Sequence, residues 1–343
     1  MTREVLSIQY LRGLAAVIVV LHHLLTATGF NSNLGNFGVD IFFVISGFIM
    51  WHTTASVEVA AFEFWRRRII RVVPLYWMLL ASLVFISLFA GQALNSTVVN
   101  AENTIKSFLF IPHFHATQHL IAPILIPGWS LNYEMFFYFL FGLSLLVPER
   151  RIRASLLGVT LVGLVLLGLL LRPTSAVMIT YTGSDLLKFW NGIILAIIFR
   201  AERLDLRAWI GVMLAIAGFV LHSVSEPSSL AQLDVYAGIS ATLVVTGVLV
   251  LEAAARKTPL PILHTIGNAS YSIYLSHLFF LRLYEIVCRH FIPLGSTLSL
   301  QTIYISGALA FAITGGVITY YLIEQPLLHM CKLRYVIAPK PAV

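Results

Sequence analysis

The chain contains repeated runs of about 20 predominantly apolar residues, which is the length needed to cross the hydrocarbon layer of a membrane. Short segments rich in proline, glycine and charge separate these runs. Apolar residues make up 59% of the sequence and charged residues only 11%, and the mean hydropathy is +0.89. Because a water-soluble domain could not bury this much apolar surface, the chain is predicted to be a membrane protein.

The sequence predicts an all-α fold, a polytopic transmembrane helix bundle of about ten spans. The expected spans cover residues 6–28, 37–54, 73–94, 128–147, 154–171, 185–200, 208–223, 234–253, 266–287 and 300–323. No linker or repeat divides the chain, so residues 1–343 are expected to form a single integral membrane domain with a short basic tail at about 327–343.

The distribution of positive charge predicts the orientation, because short cytoplasmic loops carry the excess of lysine and arginine in membrane proteins. With both termini cytoplasmic, most of the 22 lysine and arginine residues fall on the cytoplasmic side, and only Lys106, Arg172 and Arg289 fall on the outer side. The net charge of +7 therefore reflects topology, and nucleic acid is not expected as a partner.

Ionisable side chains at membrane depth are costly and usually face a cavity or a partner, so they indicate function. Arg12 and His23 are eleven residues apart, which places them on one face of the first span and roughly 16 Å apart along its axis. Asp40, Glu134 and His277, from three other spans, are expected at the depth of His23. We therefore expect a polar chamber in which a carboxylate orients an imidazole. Alternatively, these groups only form hydrogen bonds between packed helices.

A second cluster of charge lies in the sequence FWRRRIIRVVPLYW, residues 64–77, at the cytoplasmic start of the third span. Arg68 and Arg71 are neighbours on a helix and can converge on one phosphate. Arginines beside a membrane also commonly fix topology or contact lipid headgroups. Together with Arg12, the pair predicts a site for a phosphorylated donor whose extended arm reaches His23. Acyl-CoA has this shape.

Residues 95–127 form a long loop that is predicted on the outer face. Long loops above membrane cavities often contribute to binding. His115 and His119 have the spacing of a metal-ligand pair, but the sequence indicates no third ligand. We therefore expect no metal site.

Ser46 is followed by Gly47 within the second expected span. A serine near a histidine is compatible with a catalytic triad, but the G-x-S-x-G turn that would expose a nucleophile is absent. We interpret the pair as a notch for close packing between helices.

Six segments, in this order along nearly the whole chain, resemble the acyltransferase family 3 membrane proteins, and within them the exopolysaccharide O-acetyltransferases of the succinoglycan type. The segments are YLRGLAAVIVVLHH (10–23), GVDIFFVISGFIM (38–50), RRRIIRVVPLYW (66–77), WSLNYEMFFY (129–138), IGNASYSIYLSH (266–277) and IEQP (323–326). The resemblance implies a bacterial inner-membrane enzyme with no permanently bound cofactor. Its usual donor would be acetyl-CoA, and its acceptor a sugar of a cell-surface polysaccharide.

The resemblance also implies roles for individual residues. The expected catalytic residues are His23, Glu134 and Asp40; the expected acyl-CoA-binding residues are Arg12, Arg68 and Arg71; and the candidates for lining the chamber or contacting the acceptor are His277, Trp129 and Tyr133. The imidazole of His23 would take the proton from an acceptor hydroxyl as that hydroxyl attacks the thioester.

The expected partners are acyl-CoA, a glycan or lipid-linked oligosaccharide, the lipid bilayer and proteins of polysaccharide assembly. Two other functions stay open on the sequence alone. A transporter or flippase of lipid-linked sugar precursors would need the same spans and a similar chamber. A non-catalytic scaffold of a polysaccharide-export complex would use the polar groups only to join helices.

Overall fold

The computed structural model describes residues 4–29, 34–55, 57–89, 100–117, 120–204, 206–224, 235–288 and 298–337, so His119 and Arg289 lie outside the described residues. Within these ranges the regular structure is helical, apart from one isolated bridge between Phe114 and Ile121. The α-helices are α1 (Leu6–Ala27), α2 (Leu34–Thr54), α3 (Ala61–Phe89), α4 (Ala101–Phe108), α5 (Trp129–Ser144), α6 (Arg150–Leu171), α7 (Ala176–Tyr181), α8 (Asp185–Arg200), α9 (Ala208–Val224), α10 (Val235–Val250), α11 (Glu252–Lys257), α12 (Pro261–Asn268), α13 (Ser270–Cys288), α14 (Leu298–Thr319) and α15 (Gln325–Ile337). A 3₁₀ turn (Ile126–Gly128) precedes α5, and a π-helical turn (Tyr320–Glu324) joins α14 to α15.

Six helical stretches in the described part of the chain are long and apolar enough to cross a membrane. They are Leu6–Ala27, Leu34–Thr54, Ala61–Phe89, Arg150–Leu171, Ala176–Arg200 and Ser299–Cys331. The chain is therefore a multi-pass membrane protein, and the predicted all-α class is confirmed. The number of about ten spans and the cytoplasmic location of the termini stay predictions.

Two expected spans have different boundaries in the structure. Helix α3 begins at Ala61, well before the expected start at residue 73, so the arginine cluster lies within the helix. The expected ninth span is divided between α12 and α13, with Ala269 between them. Buried serines on α13, among them Ser270 and Ser272, lower its hydropathy, because this helix packs a polar face inward.

Helix α2 lies at the centre of the bundle. In its apolar window 78% of the residues are buried, against 28% for α6. It packs closely against α8 because glycines line the contact. A Cβ atom on Gly47 would lie 2.0 Å from the carbonyl oxygen of Phe189, and one on Gly192 would lie 2.0 Å from that of Val44. The interpretation of Gly47 as a packing notch is confirmed.

The surface of the bundle is apolar, as expected where helices face lipid. Large apolar side chains such as Leu170 and Phe89 are 82% and 76% exposed. Many of the buried polar side chains lie instead on α1, α2, α5 and α13. These helices, together with α3, enclose the cavities described next.

Candidate active site

Two adjoining cavities lie among α1, α2, α3, α5 and α13. The arginine cavity, of about 150 Å³, has four charged side chains in its wall: Arg12, Arg68, Arg71 and Glu134. The histidine cavity, of about 320 Å³, has His22 and His23 in its wall. Val39 and Tyr274 line both cavities, so these two side chains stand at the junction between them.

A third cavity, the basic mouth, adjoins the arginine cavity at the opposite end and has a volume of about 530 Å³. The two cavities share Arg68 and Arg71. In the wall of the mouth, Glu63 accepts hydrogen bonds from Arg66 at 2.7 Å and from Arg67 at 2.6 Å. The series of cavities therefore leads from a basic surface to His23, and α1 spans its length from Arg12 to His23, as the helical spacing predicts.

Arg12 and Arg68 carry positive charge that no ion pair neutralises among the residues that the structure describes. The guanidinium of Arg68 lies 5.5 Å from the ring centroid of Phe64 and 6.0 Å from that of Tyr138. Its Nε atom is buried without a hydrogen-bond partner. Because a buried, unpaired donor and charge are costly, these arginines favour an anionic ligand.

Arg71 is held by a carboxylate to which sequence reasoning gave no role. Its guanidinium donates to Oε1 of Glu324, whose Oε2 accepts from the hydroxyl of Ser272 at 2.5 Å. The same guanidinium lies 5.4 Å from the ring centroid of Tyr271. Glu324 is only 1% exposed and lies in the π-helical turn, a feature often found at functional sites. In the sequence, the feature that could have identified Glu324 is its position as an acidic residue at the end of an apolar run.

The imidazole rings of His23 and His277 are in contact, with centroids 4.9 Å apart and ring planes inclined by 58°. The Nδ1 atom of His23 lies 3.0 Å from the carbonyl oxygen of Val19, and that of His277 lies 2.7 Å from the carbonyl oxygen of Tyr274. Because a carbonyl oxygen only accepts, each Nδ1 carries a proton. The Nε2 atom of His277, 3.4 Å from Nδ1 of His23, is then an acceptor, and Nε2 of His23 is left as a base.

The two carboxylates that were expected beside the imidazole have other partners. Glu134 lies in the arginine cavity, where its charge acts on Arg12 and Arg68. Asp40 forms an ion pair with Lys188 at 2.5 Å, and Lys188 also contacts Asp185 at 2.5 Å. The structure thus brings the histidines together and divides the carboxylates between two other sites, because equal depth in the membrane does not make helices neighbours.

The aromatic candidates are also divided. Trp129 lines the histidine cavity, and so do residues 120–122 of the long loop. Tyr133 instead lines a separate cavity of about 140 Å³ together with Asp185. The loop is fixed to α3, since the hydroxyl of Tyr76 donates to the carbonyl oxygen of Ser107 at 3.0 Å. Of the two aromatic candidates, Trp129 and Tyr133, it is therefore Trp129 that can contact a molecule in the histidine cavity.

Two hydroxyl groups meet at the junction of the two cavities. The hydroxyl of Tyr274 lies 2.8 Å from Oγ of Ser130 and donates to the carbonyl oxygen of Pro127 at 2.8 Å. Ser130 lines the arginine cavity. Both residues stand in segments that support the family resemblance, but sequence reasoning assigned them no function.

The long loop contributes His113 and His115 to the described part of the chain. There, no group of three or more potential ligands could hold a metal ion. Burial lowers the pKa of His115, and the charge of His113 lowers it further.

The model of acyltransferase family 3, described as an acyltransferase domain, matches residues 5–321. The chain belongs to this family. It is therefore an acyltransferase, which decides against the transporter and the scaffold that the sequence alone left open.

This family member is similar to proteins that act in polysaccharide and acyl-transfer chemistry. It is 34% identical to the exopolysaccharide production protein ExoZ of Rhizobium meliloti, over 93% of this chain and 98% of the relative. It is 24% identical to the acyltransferase MdmB of Streptomyces mycarofaciens, over 90% and 85%. It is 27% identical to the peptidoglycan O-acetyltransferase OatA of Listeria monocytogenes, over 58% of this chain and 35% of the relative. No solved structure matches the chain.

Proposed function

We propose that this inner-membrane acyltransferase moves an acetyl group from acetyl-CoA to a sugar hydroxyl of an exopolysaccharide or another cell-surface glycan. The observation that carries the proposal is the series of three cavities. At one end it presents Arg12 and Arg68, which form no ion pair with any residue that the structure describes, and at the other end a basic imidazole, His23. The similarity to ExoZ and OatA supports a glycan as acceptor.

The donor enters through the basic mouth. The phosphates of CoA bind Arg68 and Arg71, because a guanidinium fork matches phosphate oxygens and gains a charge-assisted hydrogen bond. Arg12 continues this contact deeper in the cavity. Apolar side chains such as Phe42 and Met50 line the rest of the arginine cavity and suit the thin pantetheine arm, which extends towards the junction at Tyr274.

The chemistry takes place at the junction, with His23 as general base. The acceptor hydroxyl attacks the thioester carbonyl carbon while Nε2 of His23 takes its proton. The tetrahedral intermediate then collapses: the carbon–sulfur bond breaks, and the departing thiolate of CoA takes the proton from the imidazolium. Ester and free CoA are the products, so the proton balance closes without a metal or a second cofactor.

The hydroxyl of Tyr274 stabilises the intermediate once its proton turns from the carbonyl oxygen of Pro127 to the carbonyl oxygen of the thioester. Negative charge develops on the carbonyl oxygen as the hydroxyl attacks, and fixed donors aimed at this oxygen lower the barrier. Tyr274 lines both cavities, so its hydroxyl is next to a thioester that arrives from one side and an acceptor that arrives from the other. Ser130, whose Oγ lies 2.8 Å from the Tyr274 hydroxyl, then donates to the oxygen of that hydroxyl and holds it in place.

The acceptor sugar occupies the histidine cavity. Trp129 offers an aromatic face to a sugar ring, and Asn36 and His22 offer polar contacts in the same wall. On this proposal Glu134 and Asp40, which the sequence predicts as catalytic residues, have supporting roles. Glu134 moderates the positive charge of the arginine cavity, and Asp40 belongs to the ion pair with Lys188.

The test compares the surface glycan of cells that carry the wild-type gene, a deletion, or His23→Ala. The mass lost from the glycan on deletion identifies the acyl group, acetyl or a larger group such as succinyl. His23→Ala should lose the same mass while the protein still reaches the membrane in normal amount. Glycan of unchanged mass in the deletion strain would refute the proposal.

A further inference from the structure

Arg12 is the last member of a hydrogen-bonded chain that begins at the protein surface. Its guanidinium donates to Oε1 of Gln9 at 3.1 Å, and the amide nitrogen of Gln9 donates to Oδ1 of Asn268. The amide nitrogen of Asn268 lies 3.3 Å from Nδ1 of His264, whose Nε2 lies 3.4 Å from a carboxylate oxygen of Glu4. The chain therefore joins a half-exposed histidine to the arginine cavity.

Close approach of α1 and α12 makes this chain possible. A Cβ atom on Gly267 would lie 2.1 Å from the carbonyl oxygen of Gln9, and one on Gly13 would lie 2.9 Å from the backbone nitrogen of Gly267. Glycines at these positions let the two backbones touch. Because Gly267 directly precedes Asn268, the same contact brings the two amide side chains together.

The direction of every bond in the chain follows from Arg12, because a guanidinium donates and never accepts. Gln9 must offer its oxygen to Arg12 and therefore turns its amide nitrogen towards Asn268. Asn268 must accept from Gln9 and therefore turns its own amide nitrogen towards His264. Nδ1 of His264 must then be an acceptor. This requires a neutral His264 with its proton on Nε2, facing Glu4.

The amides of Gln9 and Asn268 hold each other in this orientation. If Asn268 turned its amide over, its nitrogen would oppose that of Gln9. If Gln9 also turned over, its nitrogen would oppose Arg12. One bond of the chain must break in each case.

His264 lies at the outer end of the chain. Its side chain is 34% exposed, and Glu4 faces Nε2. Beside Glu4, Arg256 of α11 donates to the backbone carbonyl oxygen of Glu4 and pairs with Glu252 at 2.6 Å. On α1, the hydroxyl of Tyr10 accepts from the backbone N–H of Leu260.

We infer that Gln9 and Asn268 are positioning residues that hold Arg12 for the acyl donor. This inference rests on the proposed function, because it takes CoA as the ligand of Arg12. Without Asn268, the amide of Gln9 loses the partner that keeps its oxygen turned towards Arg12, and the affinity for CoA falls.

The experiment measures binding of CoA to the purified full-length protein at pH 8. His264→Gln keeps an acceptor for the amide nitrogen of Asn268, so it should bind CoA as tightly as the wild type does. Asn268→Leu interrupts the chain and should bind about tenfold more weakly at pH 8.

Thr265→Ala is the matched control, because Thr265 is the next residue on α12 and its hydroxyl only donates to the carbonyl oxygen of Pro261. It should reproduce the wild-type affinity. The inference is wrong if Asn268→Leu binds CoA as tightly as the wild type at pH 8, or if Thr265→Ala weakens binding as much as Asn268→Leu does. If the wild type binds no CoA at any pH, the proposed donor itself is wrong.

Discussion

Replacement of His277 distinguishes a supporting imidazole from a second catalytic base. Its Nε2 atom lies 3.4 Å from Nδ1 of His23, beyond the usual hydrogen-bond range of about 2.7–3.2 Å. The carbonyl oxygen of Val19, at 3.0 Å, is the stronger acceptor for the same proton. Loss of His277 therefore removes about 0.5–1.5 kcal/mol of hydrogen bonding. This corresponds to a rate decrease of about two- to tenfold.

The assay is single-turnover transfer from labelled acetyl-CoA at saturating concentration. His277→Met should slow transfer by about two- to tenfold, and His277→Gln, which keeps an acceptor oxygen, should be closer to the wild type. A general base contributes about 10²- to 10⁴-fold, so His23→Ala should be far slower than either. The reasoning is refuted if His277→Gln loses more than about 100-fold while its thermal unfolding and its CoA affinity match the wild type.

Three further predictions follow from the contacts at the site. Arg68→Ala should weaken CoA binding by about 10- to 100-fold, because it removes a charge-assisted contact to phosphate. The control Arg282→Ala, which removes a partner of Glu285, should leave CoA affinity unchanged. Equal affinities of the two variants by titration calorimetry would contradict the donor site. Tyr274→Phe should lower the transfer rate at saturating acetyl-CoA by about 10²- to 10³-fold with unchanged CoA affinity, as expected for loss of an oxyanion donor; a loss of affinity alone would oppose this role. Lys188→Met leaves buried acidic partners without their cation and should cost about 3–5 kcal/mol of stability, visible as a lower unfolding temperature; an unchanged temperature would show that the pairs contribute little.

The sequence predicts features that depend on one helix at a time. Helical spacing correctly places Arg12 and His23 on the face of α1 that lines the cavities. The pattern of small residues correctly identifies Gly47 as a position of close packing. Hydropathy correctly indicates a membrane protein, but it underestimates the length of α3. The helix continues past the apolar layer, and this polar extension carries the arginine cluster.

Pairings between distant helices could not be predicted in the same way. Span boundaries give the depth of a residue, and periodicity gives the face of its own helix, but neither tells which helices are neighbours. Asp40 was therefore expected near His23, although its ion pair is with Lys188. The same limit hid the contact between Arg71 and Glu324, whose positions are far apart in the sequence.

The central claim is that acyl donor and glycan acceptor meet from opposite ends of one series of cavities. It is tested most directly in sealed membrane vesicles of known orientation that contain the protein and its acceptor glycan. Labelled acetyl-CoA is supplied to one face at a time. The account predicts labelled glycan only when acetyl-CoA is on the face of the basic mouth, with no transfer by His23→Ala. Equal labelling when acetyl-CoA is on the face of the histidine cavity would contradict it.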